Sequence, residues 1–169
     1  MVKNVSGIEE IEQHAFAASV DRLRVLSIDS SPLKNLAVPG ISSLVNLVDF
    51  EVTSSVDSLT EIPSLPNLQY LHLYGNRFSS PPYVPYMPKL HSVWMNSGKL
   101  ASVQPFDWSN LPVLKKLALF GNRIHRLNEN DLHFSSPFLQ LIDLSDNQLG
   151  DIEPNSIQGW FYWINFRLG

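Results

Sequence analysis

The stretch Leu139-Gln140-Leu141-Ile142-Asp143-Leu144-Ser145-Asp146-Asn147-Gln148-Leu149 sets the reading of the whole chain. Apolar residues stand at its first, fourth, sixth and eleventh positions, and an asparagine at its ninth. The same spacing recurs in Leu114-x-x-Leu117-x-Leu119-x-x-Asn122-x-Ile124 and in Leu68-x-x-Leu71-x-Leu73-x-x-Asn76-x-Phe78. Looser copies are Leu23-x-x-Leu26-x-Ile28-x-x-Ser31-x-Leu33 and Leu90-x-x-Val93-x-Met95-x-x-Gly98-x-Leu100. Leu47-x-x-Phe50-x-Val52-x-x-Ser55 keeps the first half, and the sequence stops at the ninth position of Phe161-x-x-Ile164-x-Phe166-x-x-Gly169. The copies begin at 23, 47, 68, 90, 114, 139 and 161, so the steps are 24, 21, 22, 24, 25 and 22. A further apolar residue stands three before several starts: Val20, Leu44, Leu65, Met87 and Leu111.

Around positions three to seven the side chains alternate, which is the period of a strand. Positions four and six then face a shared interior, and three, five and seven face outward. A repeat of this length cannot bury its apolar face alone, so successive copies must stack into a solenoid. The pattern resembles the leucine-rich-repeat family across essentially the whole chain. The resemblance implies an α/β solenoid, a horseshoe with a parallel β-sheet on its concave face and irregular or 3-10 returns on its convex face. It also implies that the position-nine asparagines, Asn76, Asn122 and Asn147, turn inward and hydrogen-bond neighbouring turns. Ser31, Ser55, Gly98 and Gly169 replace them elsewhere, so the ladder is expected to be patchy and turns two and four soft.

Between the strands, Glu12–Phe16 and Glu153–Trp160 read as short helical or 3-10 returns. Phe78-Ser79-Ser80-Pro81-Pro82-Tyr83-Val84-Pro85 is too rich in proline for a helix and reads as extended. Ile8-x-x-Ile11 matches Leu149-x-x-Ile152, which makes residues 1–22 the back end of an earlier repeat. Residues 1–169 thus read as a single solenoid, uncapped at both ends and belonging to a longer chain. Phe161, Trp163, Ile164 and Phe166 crowd the last turn, where self-association is expected.

Composition removes several function classes. The 169 residues are 44% hydrophobic and only 17% charged, with a formal net charge of −4. The 12 Lys and Arg are scattered, which speaks against a nucleic-acid partner. No apolar stretch approaches the ~20 residues of a membrane helix, and the first ten residues lack the apolar middle of a signal peptide. There is no cysteine, which fits a reducing compartment or a fold without disulfide staples. His14, His72, His91, His125 and His133 show no zinc spacing, so neither metal nor cofactor is expected. No nucleophile elbow, phosphate loop or dinucleotide glycine motif is present, so the chain does not read as an enzyme. Asn4-Val5-Ser6 is a sequon that makes Asn4 a candidate glycosylation acceptor.

The outward strand positions carry the functional signal. Tyr70, His72, Tyr74, Trp94 and Phe120 fall there on three neighbouring strands, although the core does not need them. Exposed aromatic clusters usually mark interaction sites. The expected binding surface is Tyr70, His72, Tyr74, Trp94 and Phe120, with Asn96 and Lys116 supplying polar contacts. Asp29, Asp49 and Glu51 form an acidic edge beside it.

The chain is therefore expected to be a protein-binding module of a secreted or cell-surface protein, its partner a protein ligand or a partner subunit. Repeat steps near 24 and the Ile8-x-x-Ile11 return are similar to extracellular animal members of the family. In general style they are similar to secreted arthropod members, such as the non-catalytic subunit of a shrimp luciferase. That likeness implies an alternative role as a non-catalytic stabilising subunit of a secreted enzyme complex. The missing cysteine and the 21- and 22-residue steps favour another, a cytosolic leucine-rich-repeat regulator of the phosphatase-regulator type.

Overall fold

The computed structural model describes residues 2–6, 11–12, 14–29, 39–53, 59–104, 106–159 and 165–168, with the backbone alone for 2–5 and 39. Its strands are β1 (Val2–Ser6), β2 (Val25–Asp29), β3 (Asp49–Thr53), β4 (Tyr70–His72), β5 (Ser92–Trp94), β6 (Lys116–Ala118), β7 (Arg126–Leu127), β8 (Leu132–His133), β9 (Leu141–Asp143), β10 (Asp151–Ile152), β11 (Ile157–Gln158) and β12 (Asn165–Arg167). Eight of them form one parallel sheet in the order β1-β2-β3-β4-β5-β6-β9-β12, one strand per turn of a solenoid. The register follows the repeat: Tyr70 pairs with Ser92, Ser92 with Lys116, and Lys116 with Leu141, all at position three.

Residues 2–6 depart from expectation. They are strand β1, paired in parallel with β2 from Val2↔Val25 to Ser6↔Asp29. The earlier repeat thus contributes its sheet strand as well as its return, and Asn4 lies on that strand. The strand went unread because Val2-Lys3-Asn4-Val5 offers few of the large apolar residues that mark the other copies.

The interior is built from the repeat positions. Leu68, Leu71, Leu73 and Phe78, then Leu90, Val93, Met95 and Leu100, then Leu114, Leu117, Leu119 and Ile124 are all buried. Position three before the start is buried as well, in Leu44, Leu65, Met87 and Leu111. In the sixth copy Ser136 stands there, fully buried, and its hydroxyl donates to the Leu114 carbonyl at 2.7 Å. A polar residue is tolerated in the core because it satisfies a backbone acceptor.

The convex side is irregular. A 3-10 turn at Ala17–Ser19 follows the Glu12–Phe16 segment, a second covers Trp108–Asn110, and Pro39–Ser42 is one helical turn. The proline-rich segment is extended, with a parallel bridge between Glu61 and Tyr83. Glu153–Trp160 differs from its expected helical reading. Its described residues make a turn and then β11, which pairs with β8, while β10 pairs with β7. Asn155 explains the difference, and Asn130 stands at the equivalent place one turn earlier. Both have positive φ, 60° and 64°, which breaks a helix and returns the chain to extended form. Trp108 anchors this side: its ring stacks on Phe106 at 3.8 Å and its indole N–H donates to the Asp131 carbonyl at 3.1 Å. Of the last turn, residues 160–164 lie outside the described residues, so the expected crowding of Phe161, Trp163 and Ile164 does too.

Candidate functional site: the concave face

Every strand in the middle of the sheet leaves at a tight bend that fixes what lies beside it. Position eight takes positive φ in each of four successive turns: Gly75 at 62°, Ser97 at 54°, Gly121 at 68° and Asp146 at 53°. Glycine occupies that conformation without the steric cost that a Cβ brings. The bend turns position nine inward, where the asparagines bond in a regular way. Asn122 Nδ2 donates to the carbonyls of Met95 at 2.7 Å and Leu119 at 2.8 Å, and its Oδ1 accepts from Leu100 N at 3.2 Å. Asn147 repeats this one turn later with Leu119, Leu144 and Ile124. Asn76 Nδ2 reaches back to the Val52 carbonyl at 3.0 Å. Gly98 sits between two of these asparagines. A Cβ there would stand 2.8 Å from Asn122 Oδ1 and 3.0 Å from the Asn76 carbonyl. The fourth turn is thus tied to the fifth by Asn122 even though it lacks its own asparagine.

Facing outward, β4 and β5 bring four rings together. Tyr70 and His72 are stacked with centroids 6.4 Å apart, and His72 lies 5.3 Å from Tyr74 and 6.2 Å from Trp94. Tyr74 meets Trp94 edge-on at 6.4 Å. Spacings in this range are those of favourable aromatic pairs. His72 is held at both ends: Nδ1 is 2.6 Å from the Tyr74 hydroxyl and Nε2 is 3.5 Å from Asp49 Oδ1. The tautomer with the proton on Nε2 satisfies both, since Tyr74 then donates to Nδ1 and Nε2–H faces the carboxylate.

The electrostatics of this patch are negative. Burial pushes the Asp49 carboxyl above its ordinary range; His72 pulls it down and Glu51 pushes it up. The Tyr74 hydroxyl is raised as well, by burial first and then by the charges of Glu51 and Asp49. Glu51 accepts from the Ser27 hydroxyl at 2.9 Å, and Asp29 from that of Thr53. Among the described residues no lysine or arginine forms an ion pair with Asp49 or Glu51.

Three expected contact residues fall outside this group. Asn96 is corrected: at position seven it is only 3% exposed, too deep to supply a contact as it stands, and its Oδ1 has no hydrogen-bond donor. Small residues in these rows share that fate, Ser92 and Ala118 being buried between larger neighbours. Lys116 is exposed on β6 but one strand removed from the rings, and Phe120 makes no ring contact with them among the described residues. The acidic residues at positions three and five of β3, by contrast, adjoin the rings directly, a partnership that the register Asp49↔Tyr70 and Glu51↔His72 produces. Among the described residues no three histidines, aspartates or glutamates gather where they could hold a metal ion, and no helix is long and apolar enough to cross a membrane.

Comparison with known proteins agrees with the architecture. The leucine-rich-repeat family model matches residues 67–87 and 138–160. Tsukushi of Gallus gallus is 28% identical over 149 residues, covering 84% of this chain and 39% of its own length. TLR13, solved in complex with ssRNA13, superposes with a TM-score of 0.74 at 20% identity over 98% of this chain and 24% of its own. The leucine-rich-repeat domain of the type III effector XopL gives 0.63 at 18% identity, over 99% of this chain and 68% of its own. The chain thus spans well under half the length of Tsukushi and of TLR13. This chain folds as a leucine-rich-repeat solenoid, and two of its repeats match the family model.

Proposed function

We propose that the chain is a protein-binding module of a secreted or cell-surface protein, and that Tyr70, His72, Tyr74 and Trp94 are the centre of its contact surface, with Lys116 and Phe120 at the margin. The observation that carries this is the four-ring cluster on the outward face of β4 and β5, where it contributes nothing to the solenoid interior. Tyrosine and tryptophan dominate binding hot spots because they bury much area with few rotatable bonds. Here the rings are already held by each other and by the Tyr74–His72–Asp49 contacts, so little ordering remains to be done on binding. The likeness to Tsukushi supports the extracellular reading over a cytosolic regulator. Its length beyond this chain leaves room for other partners, including an enzyme that the module stabilises.

The test uses tagged wild type, Trp94→Ala and Phe138→Ala, the last on a ring exposed outside the sheet strands. Each bait is exposed to extracellular medium from the source tissue, and retained proteins are compared. A partner kept by wild type and Phe138→Ala but lost by Trp94→Ala supports the concave site. Equal retention by all three baits contradicts it.

A further inference from the structure

We infer that the concave face takes a cationic side chain, the guanidinium or ammonium of a basic segment of the partner protein, between the carboxylates of Asp49 and Glu51 and the rings of Tyr74 and Trp94. This rests on the concave face being the binding surface and names the chemistry it selects. Position five runs Glu51, His72, Trp94 across three paired strands. Neighbouring strands lie ~4.8 Å apart, so the Glu51 and Trp94 positions are separated by about 10 Å with His72 between them, a distance that one arginine side chain laid over the His72 ring bridges. A cation within ~6 Å of a ring centroid is attracted by the ring face, most strongly by tryptophan. Planar guanidinium suits both halves of the site, since it stacks on rings and forks onto carboxylates.

Two separate features favour a cation over an anion or an apolar group. The carboxylates of Asp49 and Glu51 have hydroxyl and imidazole partners but, among the described residues, no lysine or arginine to neutralise them. Burial is the first cause of the upward displacement of both Asp49 and Tyr74, so the site is partly desolvated, and the Glu51 charge adds to both. A phosphate backbone meets repulsion at the same place.

Two peptides serve as probes, acetyl-Gly-Arg-Gly-Arg-Gly-amide and its glutamate counterpart, each titrated into the isotope-labelled chain and followed by NMR. The arginine peptide is expected to shift the Trp94 indole N–H and the Asp49–Thr53 amides saturably, and the glutamate peptide to leave them in place. The double variant Asp49→Asn/Glu51→Gln should weaken the arginine peptide at least tenfold. Asp151→Asn/Glu153→Gln, which removes the same charge from the convex returns, should leave it within twofold; melting curves confirm that both variants fold. The inference is overturned by no saturable shift at Trp94, by equal affinity for the two peptides, or by equal weakening from the two double variants. It is also overturned, with the concave reading intact, if a captured partner is lost by Trp94→Ala yet unaffected by Asp49→Asn/Glu51→Gln.

Discussion

At the scale of single residues, the backbone conformation at position eight and the side chain at position nine act together. Gly121 has φ of 68°, and a Cβ there would lie 3.4 Å from Ser97 Cα. A left-handed residue with a Cβ costs roughly 1–2 kcal/mol, so Gly121→Ala should destabilise by about that amount in denaturant melts. Ser97→Gly, at φ 54°, should be neutral or gain a few tenths, since relief of strain is offset by the greater entropy of unfolded glycine. Asn122→Ala leaves the Met95 carbonyl and the Leu100 N–H of the interior without their partner, while the Leu119 carbonyl keeps Asn147, and should cost about 1–3 kcal/mol. Asn110 Nδ2 donates to the Val84 carbonyl at 3.1 Å, and its alanine variant should lose less. Asp49 gives a pH test. Its folded-state proton affinity is raised, so its ionised form costs stability, a cost present at neutral pH and relieved as pH falls through the folded value. Asp49→Asn should therefore melt no lower than wild type at pH 7, and any gain should vanish by about pH 3, below the ordinary carboxylate range. A variant markedly less stable at pH 7 would show that the His72 contact outweighs burial.

Among elements, the strands were legible and their surroundings only partly. Leu71, Leu73 and Leu117, Leu119 announce an inward face because a strand's side chains alternate, and all four are buried. Leu117→Ala should cost ~2–5 kcal/mol through the cavity it leaves in the stacked interior. Ser136→Ala should cost ~1–3 kcal/mol despite removing only a hydroxyl, because the Leu114 carbonyl then stays buried and unpaired. Thermal melts of both variants check these values; a loss below a few tenths at Ser136 would mean that water replaces the hydroxyl. What the alternation rule does not give is depth. Asn96 occupies an outward register yet is covered, because exposure depends on the bulk of the neighbours in its row and the rule sees one strand at a time. The convex strands β7, β8, β10 and β11 were missed for a related reason. Each is two residues long and exists through pairing with the adjacent turn, while Asn130 and Asn155 at positive φ carry no hydrophobic signature.

For the whole molecule, the repeat positions that face inward make the solenoid, and those that face outward are free to differ from turn to turn. That freedom is why family and fold follow from Leu139–Leu149 and its copies, whereas the site emerges only when strands are laid side by side. The rings of Tyr70, His72, Tyr74 and Trp94 were visible as a column count, but the junction of Asp49 and Glu51 with them needed the register of β3 against β4. The central claim is that this junction binds and does not hold the fold together. The most direct measurement is paired: the affinity of a captured partner for wild type and Trp94→Ala, and the melting temperature of each. Binding should weaken tenfold or more, about 1.4 kcal/mol or above, while the melting temperature stays within about 4 °C. Unfolding of Trp94→Ala, or unchanged affinity in a folded variant, would contradict the account.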